Sequence, residues 1–293
     1  MKKEVIVQKN PKSPTAEVFR TLRTNIQFMN SKKVLKTLLI TSTLPTEGKS
    51  WTSANLAVTF AKTGKKVVLI DADMRKGRQH SIFGLENIYG LSNYLSGIDE
   101  NGKSENINVT KYIQRTEVPN LFLMPRGNTP PNPSELLASD AMLKMIADLE
   151  ELFDLIIFDG APSLIVTDSV IISRLVDSTI IVTKYNETKK DNLAKVKKDI
   201  ENVGGKIAGV VINKVPKQGK KYESTYYYSS EDPTVYNREN KRLDEYEEFA
   251  KQRPTNNNLY DNGDSNRNSN NINAERKQEI LDQINQYLNK DRR

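Results

Sequence analysis

Short runs that are apolar on both faces alternate along this chain with longer stretches of helical periodicity. Thr15 to Met29 carries Val18, Leu22, Ile26 and Met29 at helical spacing with Pro14 just ahead, which predicts one amphipathic helix. Leu35 to Ile40 predicts a buried strand. A Pro/Gly loop follows, then a helix from Ser50 to about Thr63 and an apolar strand over Lys66 to Ile70, so the order is a βαβ unit. The alternation continues with a strand over Leu121 to Met124, a helix over Ser134 to Leu152, and strands over Leu155 to Phe158 and Ser178 to Thr183. A helix over Lys190 to Val203, closed by Gly204-Gly205, leads to a last strand over Ala208 to Ile212. Strands apolar on both faces, separated by helices, predict a mainly parallel sheet covered on both sides, a doubly wound α/β domain.

After Val215 the pattern stops. Lys217, Lys220 and Lys221 introduce the tyrosine-rich run Tyr222 to Tyr236, which has few aliphatic residues to bury and is expected to be flexible. Arg253 to Asn273 is rich in Asn and reads as linker. Ala274 to Asn289 regains a helical stripe through Ile280, Leu281, Ile284 and Leu288, either a docking helix or a nascent one, because a short isolated helix is marginal without a partner. The expected boundaries are 1–216 for the α/β domain with its N-terminal helix, 217–246 for the tyrosine-rich tail, 247–273 for the linker and 274–293 for the last helix.

Composition narrows the chemistry. The 293 residues include no Cys, which excludes disulfides, thiol catalysis and a Cys-ligated zinc, and a single His, His80, which argues against a histidine-rich metal site or a Ser-His triad. Carboxylates, lysines, hydroxyls and backbone remain. Met1 to Asn10 has no apolar stretch behind its lysines, and nowhere do about 18 uninterrupted apolar residues occur, so a cytosolic chain is expected. The net charge of +7 is dispersed among 37 acids and by itself selects no partner; no nucleic acid is expected.

Thr43-Leu44-Pro45-Thr46-Glu47-Gly48-Lys49-Ser50 stands where a phosphate-binding loop belongs, between a predicted strand and a predicted helix. Such a loop needs backbone N–H groups around a β-phosphate, a lysine for the β/γ oxygens and a hydroxyl for Mg2+; Gly48, Lys49 and Ser50 supply these. The motif is deviant, since Thr43 replaces the first glycine. The bland alternative is an ordinary turn with Lys49 solvated. Val67 to Ile70 runs into Asp71-Ala72-Asp73-Met74-Arg75, which puts two carboxylates where a parallel sheet opens onto its ligand crevice; the competing reading is a solvated turn with Asp73 paired to Arg75. Leu155 to Phe158 ends on Asp159, the Walker B form of a metal-side carboxylate. Three such elements in order point to binding of a Mg-nucleotide.

With these residues in view, the chain resembles the bacterial tyrosine kinases of capsule and exopolysaccharide synthesis, of the cytoplasmic type. The resemblance covers roughly Pro14 to Pro216 and the tyrosine cluster. It rests on Glu47-Gly48-Lys49-Ser50, the segment Leu69 to Arg75, the strand ending at Asp159, Pro130-Pro131-Asn132-Pro133-Ser134-Glu135-Leu136-Leu137, and Glu17-Val18-Phe19-Arg20-Thr21-Leu22-Arg23, which is similar to the family's E-x-x-R-x-x-R ring element. Two departures stand out. Thr46 occupies a position usually Gly, and Gly160-Ala161-Pro162 replaces Thr-Pro-Pro.

The resemblance implies an ATP- and Mg2+-dependent protein-tyrosine kinase that phosphorylates its own Tyr222, Tyr226, Tyr227, Tyr228 and Tyr236. It implies nucleotide contacts from Thr46, Glu47, Gly48, Lys49, Ser50 and Trp51. Lys49, Asp71 and Asp73 would be catalytic and Ser50, Asp73 and Asp159 would lie at the metal, with Asp71 as proton acceptor; which Asp is base and which is ligand stays open. Asn213 resembles the adenine-reading Asn of related ATPases, and a turn-capping Asn fits equally. Glu17, Arg20 and Arg23 share a helical face, suited to ion pairs in a ring-like homo-oligomer or simply solvated. The implied partners are a transmembrane polysaccharide co-polymerase that recruits the kinase to the inner face of the plasma membrane and other tyrosine substrates. Two other readings stand beside this one: a switching ATPase of the deviant-Walker class, although Leu44 stands where that class carries its signature lysine, and a nucleotide-binding scaffold without turnover.

Overall fold

The computed structural model describes residues 5–29, 34–99, 102–103 and 108–216. By backbone proximity the chain separates into Met1–Glu231 and Asp232–Arg293, and every described residue lies in the first. The tyrosine cluster, the Asn-rich stretch and the last helical stripe fall outside the described residues.

The elements run α1 (Ile6–Lys9), α2 (Pro14–Phe28), β1 (Thr37–Ser42), α3 (Lys49–Ala61), β2 (Val67–Asp71), α4 (Gln79–Phe83) and α5 (Leu91–Leu95). A small hairpin, β3 (Ile98–Asp99) with β4 (Gly102–Lys103), and a 3-10 turn precede β5 (Gln114–Arg115) and β6 (Leu121–Met124). Then come α6 (Pro133–Leu137), α7 (Asp140–Leu152), β7 (Leu155–Pro162), α8 (Asp168–Leu175), β8 (Ser178–Lys184), α9 (Lys190–Asn202) and β9 (Ile207–Asn213). Seven strands form one sheet in the order β5-β6-β2-β7-β1-β8-β9, parallel throughout except for the β5 edge.

Successive residues of the central strands feed opposite faces. Leu38, Ile40, Leu69 and Ile157 join Phe19, Leu56 and Phe60 in one core, and Leu39, Val68, Ile70 and Phe158 join Leu91, Met145, Leu149 and Ile172 in the other. This two-sided burial is the expected doubly wound arrangement. It leaves the carboxyl ends of β1, β2 and β7 side by side, with Asp71 in register with Asp159.

Four sequence expectations are corrected. The helix expected over Ser134 to Leu152 is two helices, because Ser139 takes an extended backbone (φ −79°, ψ 159°) and its hydroxyl donates to the Leu136 carbonyl (2.7 Å), which ends the first. The strand expected to stop at Phe158 continues to Pro162, so Asp159 is an internal strand residue; its neighbour Gly160 is tightly enclosed, since a Cβ there would lie 2.3 Å from Ser169 Oγ. Helix α8 was not expected. In α2 the buried residues are Ala16, Phe19 and Ile26, while Val18 and Met29 are 49% and 56% exposed. The ring of Phe19 packs edge-on to Trp51 (centroids 5.2 Å apart), and this contact sets the rotation of the helix. Among the described residues no helix is long and apolar enough to cross a membrane.

Candidate active site

The loop from β1 to α3 is shaped by two residues with positive φ. Gly48, at the N-cap of α3, has φ +99°, and a Cβ there would sit 2.0 Å from Asn213 Nδ2, so both backbone and neighbour require glycine. Thr46, β-branched, sits at φ +68°, a conformation that costs it energy. Glu47 is buried and braces the loop from within: its carboxylate accepts from Thr43 Oγ1 (2.8 and 3.0 Å), from the Leu44 N–H (2.9 Å) and from the Thr188 hydroxyl. From outside, Asn213 Nδ2 donates to the Glu47 carbonyl (2.9 Å) and Lys214 Nζ to that of Thr46 (3.1 Å). The far edge of the sheet thereby ties down the loop, while the N-terminus of α3 keeps the positive end that suits phosphate.

Lys49 is not solvated. Its ammonium, in a residue only 9% exposed, donates to Asp73 Oδ2 (2.9 Å) and to Ser50 Oγ (3.4 Å) and lies 3.9 Å from Asp159 Oδ1. Burial alone would lower its proton affinity, but Asp159, Asp73 and Asp71 more than offset this and hold it above the ordinary lysine value. Asp73 also accepts from the Lys76 N–H (2.9 Å) and does not pair with Arg75, whose Nε donates instead to the buried Asp168 (3.2 Å). Ser134, in the proline-rich segment, bonds the other Asp168 oxygen (2.5 Å).

Asp71 is fully buried. One oxygen accepts from the Gln79 N–H (2.9 Å) and the other, Oδ1, has no hydrogen-bond partner among the described residues. Burial, followed by the nearby Asp159 charge, pushes its pKa well above the carboxylate range, against the opposing pull of the Gln79 N–H and Lys49. Asp159 is held at both oxygens, by Ser53 Oγ (3.2 Å) and Gln79 Nε2 (2.8 Å).

These groups line or back a cavity of about 760 Å³, within the roughly 300–1,000 Å³ range of small-molecule sites. Of the sequence-predicted residues, Thr46, Gly48, Lys49, Ser50, Trp51, Asp73 and Asn213 line it, whereas Glu47, Asp71 and Asp159 lie behind its wall. Arg75, Lys76, Arg78 and Lys214 add positive charge at its surface, and Pro162, Ile165 and Val166 an apolar side. Asn213 spends its amide on the Glu47 carbonyl. Among the described residues no group of three His, Cys, Asp or Glu side chains is arranged to hold a metal. The donors present, Ser50, Asp73 and Asp159, are all hard oxygens, and Mg2+ is commonly held by one or two carboxylates plus substrate phosphates, so the set fits it.

Glu17 and Arg20 pair with each other within α2, Arg20 also reaches the Pro11 carbonyl, and Arg23 Nε has no partner among the described residues. Sequence reasoning missed Gln79, Thr188 and Asp168. Asp168 at the start of an unrecognised helix offered a weak signal; Gln79 and Thr188 offered none.

Residues 46–210 match the family described as AAA domain. The chain is 37% identical over 232 residues to the tyrosine-protein kinase YwqD of Bacillus subtilis, covering 79% of this chain and 94% of that one. It is similar to the kinase domain of the Escherichia coli tyrosine kinase ETK, with a TM-score of 0.68 and 32% identity over 74% of this chain and 82% of that one. The septum site-determining protein MinD of Pyrococcus horikoshii, complexed with Mg-ADP, is 20% identical with a TM-score of 0.50, covering 63% of this chain and 72% of that one, and shares the fold.

Proposed function

This chain belongs to the bacterial tyrosine-kinase family and is a protein-tyrosine kinase, and from that premise we propose that it transfers the γ-phosphoryl of Mg-ATP to the tyrosines of its own tail. The observation that carries the reading is the placement of Lys49, in contact with Asp73 and Ser50 and close to Asp159, at the N-terminus of α3 and on the cavity wall.

Ser50 and Asp73 would hold Mg2+, with Asp159 behind them by way of water, and the ion when bound would neutralise phosphate charge. Lys49 brings a fixed ammonium to the transferring phosphoryl, where catalysis is mostly positioning and charge stabilisation. Transfer forms a bond from the tyrosine oxygen to the γ-phosphorus, breaks the bond to ADP and releases the phenolic proton. Asp71, with its raised proton affinity, takes that proton. Because it lies behind the wall, the proton reaches it by way of the cavity-facing Asp73 or one water. Asn213 acts first as a clamp on the loop and only then on the base.

The acceptors are Tyr222, Tyr226, Tyr227, Tyr228 and Tyr236 in 217–246, presented to a neighbouring subunit of a ring-like homo-oligomer formed through Glu17, Arg20 and Arg23. Each phosphate adds nearly two negative charges, so several would repel one another and loosen the ring. The setting is capsule or exopolysaccharide synthesis in the cytoplasm, at the inner face of the plasma membrane, with a transmembrane co-polymerase as activator and other tyrosine proteins as further substrates. The test is to incubate purified protein with Mg-ATP, with and without the activator's cytoplasmic peptide, and to follow ADP and phosphotyrosine together. Both are expected to rise. ADP release without phosphotyrosine would transfer the chain to the switching ATPases, and nucleotide binding without either to the scaffolds.

A further inference from the structure

Gln79 opens α4 and is fully buried. Its side-chain amide donates to Asp159 Oδ2 (2.8 Å) and to the Ser50 carbonyl (2.9 Å), while its backbone N–H donates to Asp71 Oδ2 (2.9 Å). One residue therefore bonds the first turn of α3, the β7 carboxylate and the β2 carboxylate. A primary amide has two hydrogens, and both are used on these groups. Neither an apolar residue nor a glutamate of similar size reproduces this. The first leaves Asp159 Oδ2 without its donor; the second adds a third carboxyl beside Asp71 and Asp159.

We propose that Gln79 is a positioning residue for phosphoryl transfer, fixing the Asp159 carboxylate relative to Ser50 so that the groups assigned to the divalent cation keep one geometry. The proposal rests on the assignment of Ser50 and Asp159 given above. Residues that orient metal ligands typically change metal affinity or activity by about 10- to 100-fold when altered.

The experiment measures ADP binding by calorimetry with and without Mg2+, alongside the kinase rate, in the full chain and in Gln79→Met, which keeps the volume and removes both side-chain bonds. The expected result is Mg2+-free ADP affinity within about twofold of the parent, with the tightening brought by Mg2+ and kcat each reduced about 10- to 100-fold. Unchanged Mg2+ tightening and kcat in Gln79→Met overturn the proposal. So does an equal loss of Mg2+-free binding and melting temperature, which would make Gln79 a residue of the fold alone. If the parent itself makes no phosphotyrosine, the kinase reading fails, and the calorimetric comparison still decides the role of Gln79.

Discussion

Lys49 Nζ and Asp73 Oδ2 lie 2.9 Å apart with both side chains almost withdrawn from water, and Asp159 and Asp71 stand behind the same ammonium. One cation thus faces a group of three carboxylates. Lys49→Met is expected to abolish transfer and also to lower stability by about 3 kcal/mol, because removing one partner of a buried pair leaves uncompensated charge. Denaturant unfolding at pH 7.5 checks this.

Asp71 contributes a pH dependence of known sign. Its folded pKa lies above its unfolded value, so the folded chain binds the proton more tightly, and stability falls as pH rises from the ordinary carboxylate range through the raised value. Asp71→Asn, neutral at every pH and still able to accept from the Gln79 N–H, is expected to melt higher than the parent at pH 7.5. The gap narrows as pH approaches 4.

Thr46 holds a positive φ that a glycine adopts freely. Thr46→Gly removes strain of about 1–3 kcal/mol and loses up to about 1 kcal/mol to the greater freedom of glycine in the unfolded chain. A net gain of about 1 kcal/mol raises the melting temperature by roughly 2–4 °C in a domain of this size, measurable by calorimetry without nucleotide.

Gly160 is enclosed by Ser169 Oγ and Leu39 Cδ1, which a Cβ would approach to 2.3 and 2.8 Å. Gly160→Thr is expected to destabilise by about 1–3 kcal/mol through overpacking. Adding Ser169→Gly should recover part of that loss, an interaction that a double-mutant cycle in urea would measure.

Much of this architecture was readable in the sequence because the central strands are apolar on both faces, as Val67 to Ile70 and Leu155 to Phe158 show, and only a covered parallel sheet uses such strands. The loop and its acids could be placed for the same reason, since each follows one of those strands. What periodicity could not see was decided by contacts distant in sequence. Val18 and Phe19 compete for the core face of α2, and Trp51, 32 residues after Phe19, settles it. Asp73 looked free to pair with its neighbour Arg75, yet Asp168 takes Arg75 and Lys49 takes Asp73. Gln79 sits on a helix of five residues, too short to carry a pattern, and its partners come from β2, α3 and β7.

The most direct measurement is a mass-spectrometric map of phosphotyrosine after incubation with Mg-ATP, for the parent chain and for Lys49→Met. Phosphate on Tyr222, Tyr226, Tyr227, Tyr228 or Tyr236 in the parent, absent from Lys49→Met, is the result expected. A parent chain that consumes ATP while those five tyrosines stay unmodified would contradict the account.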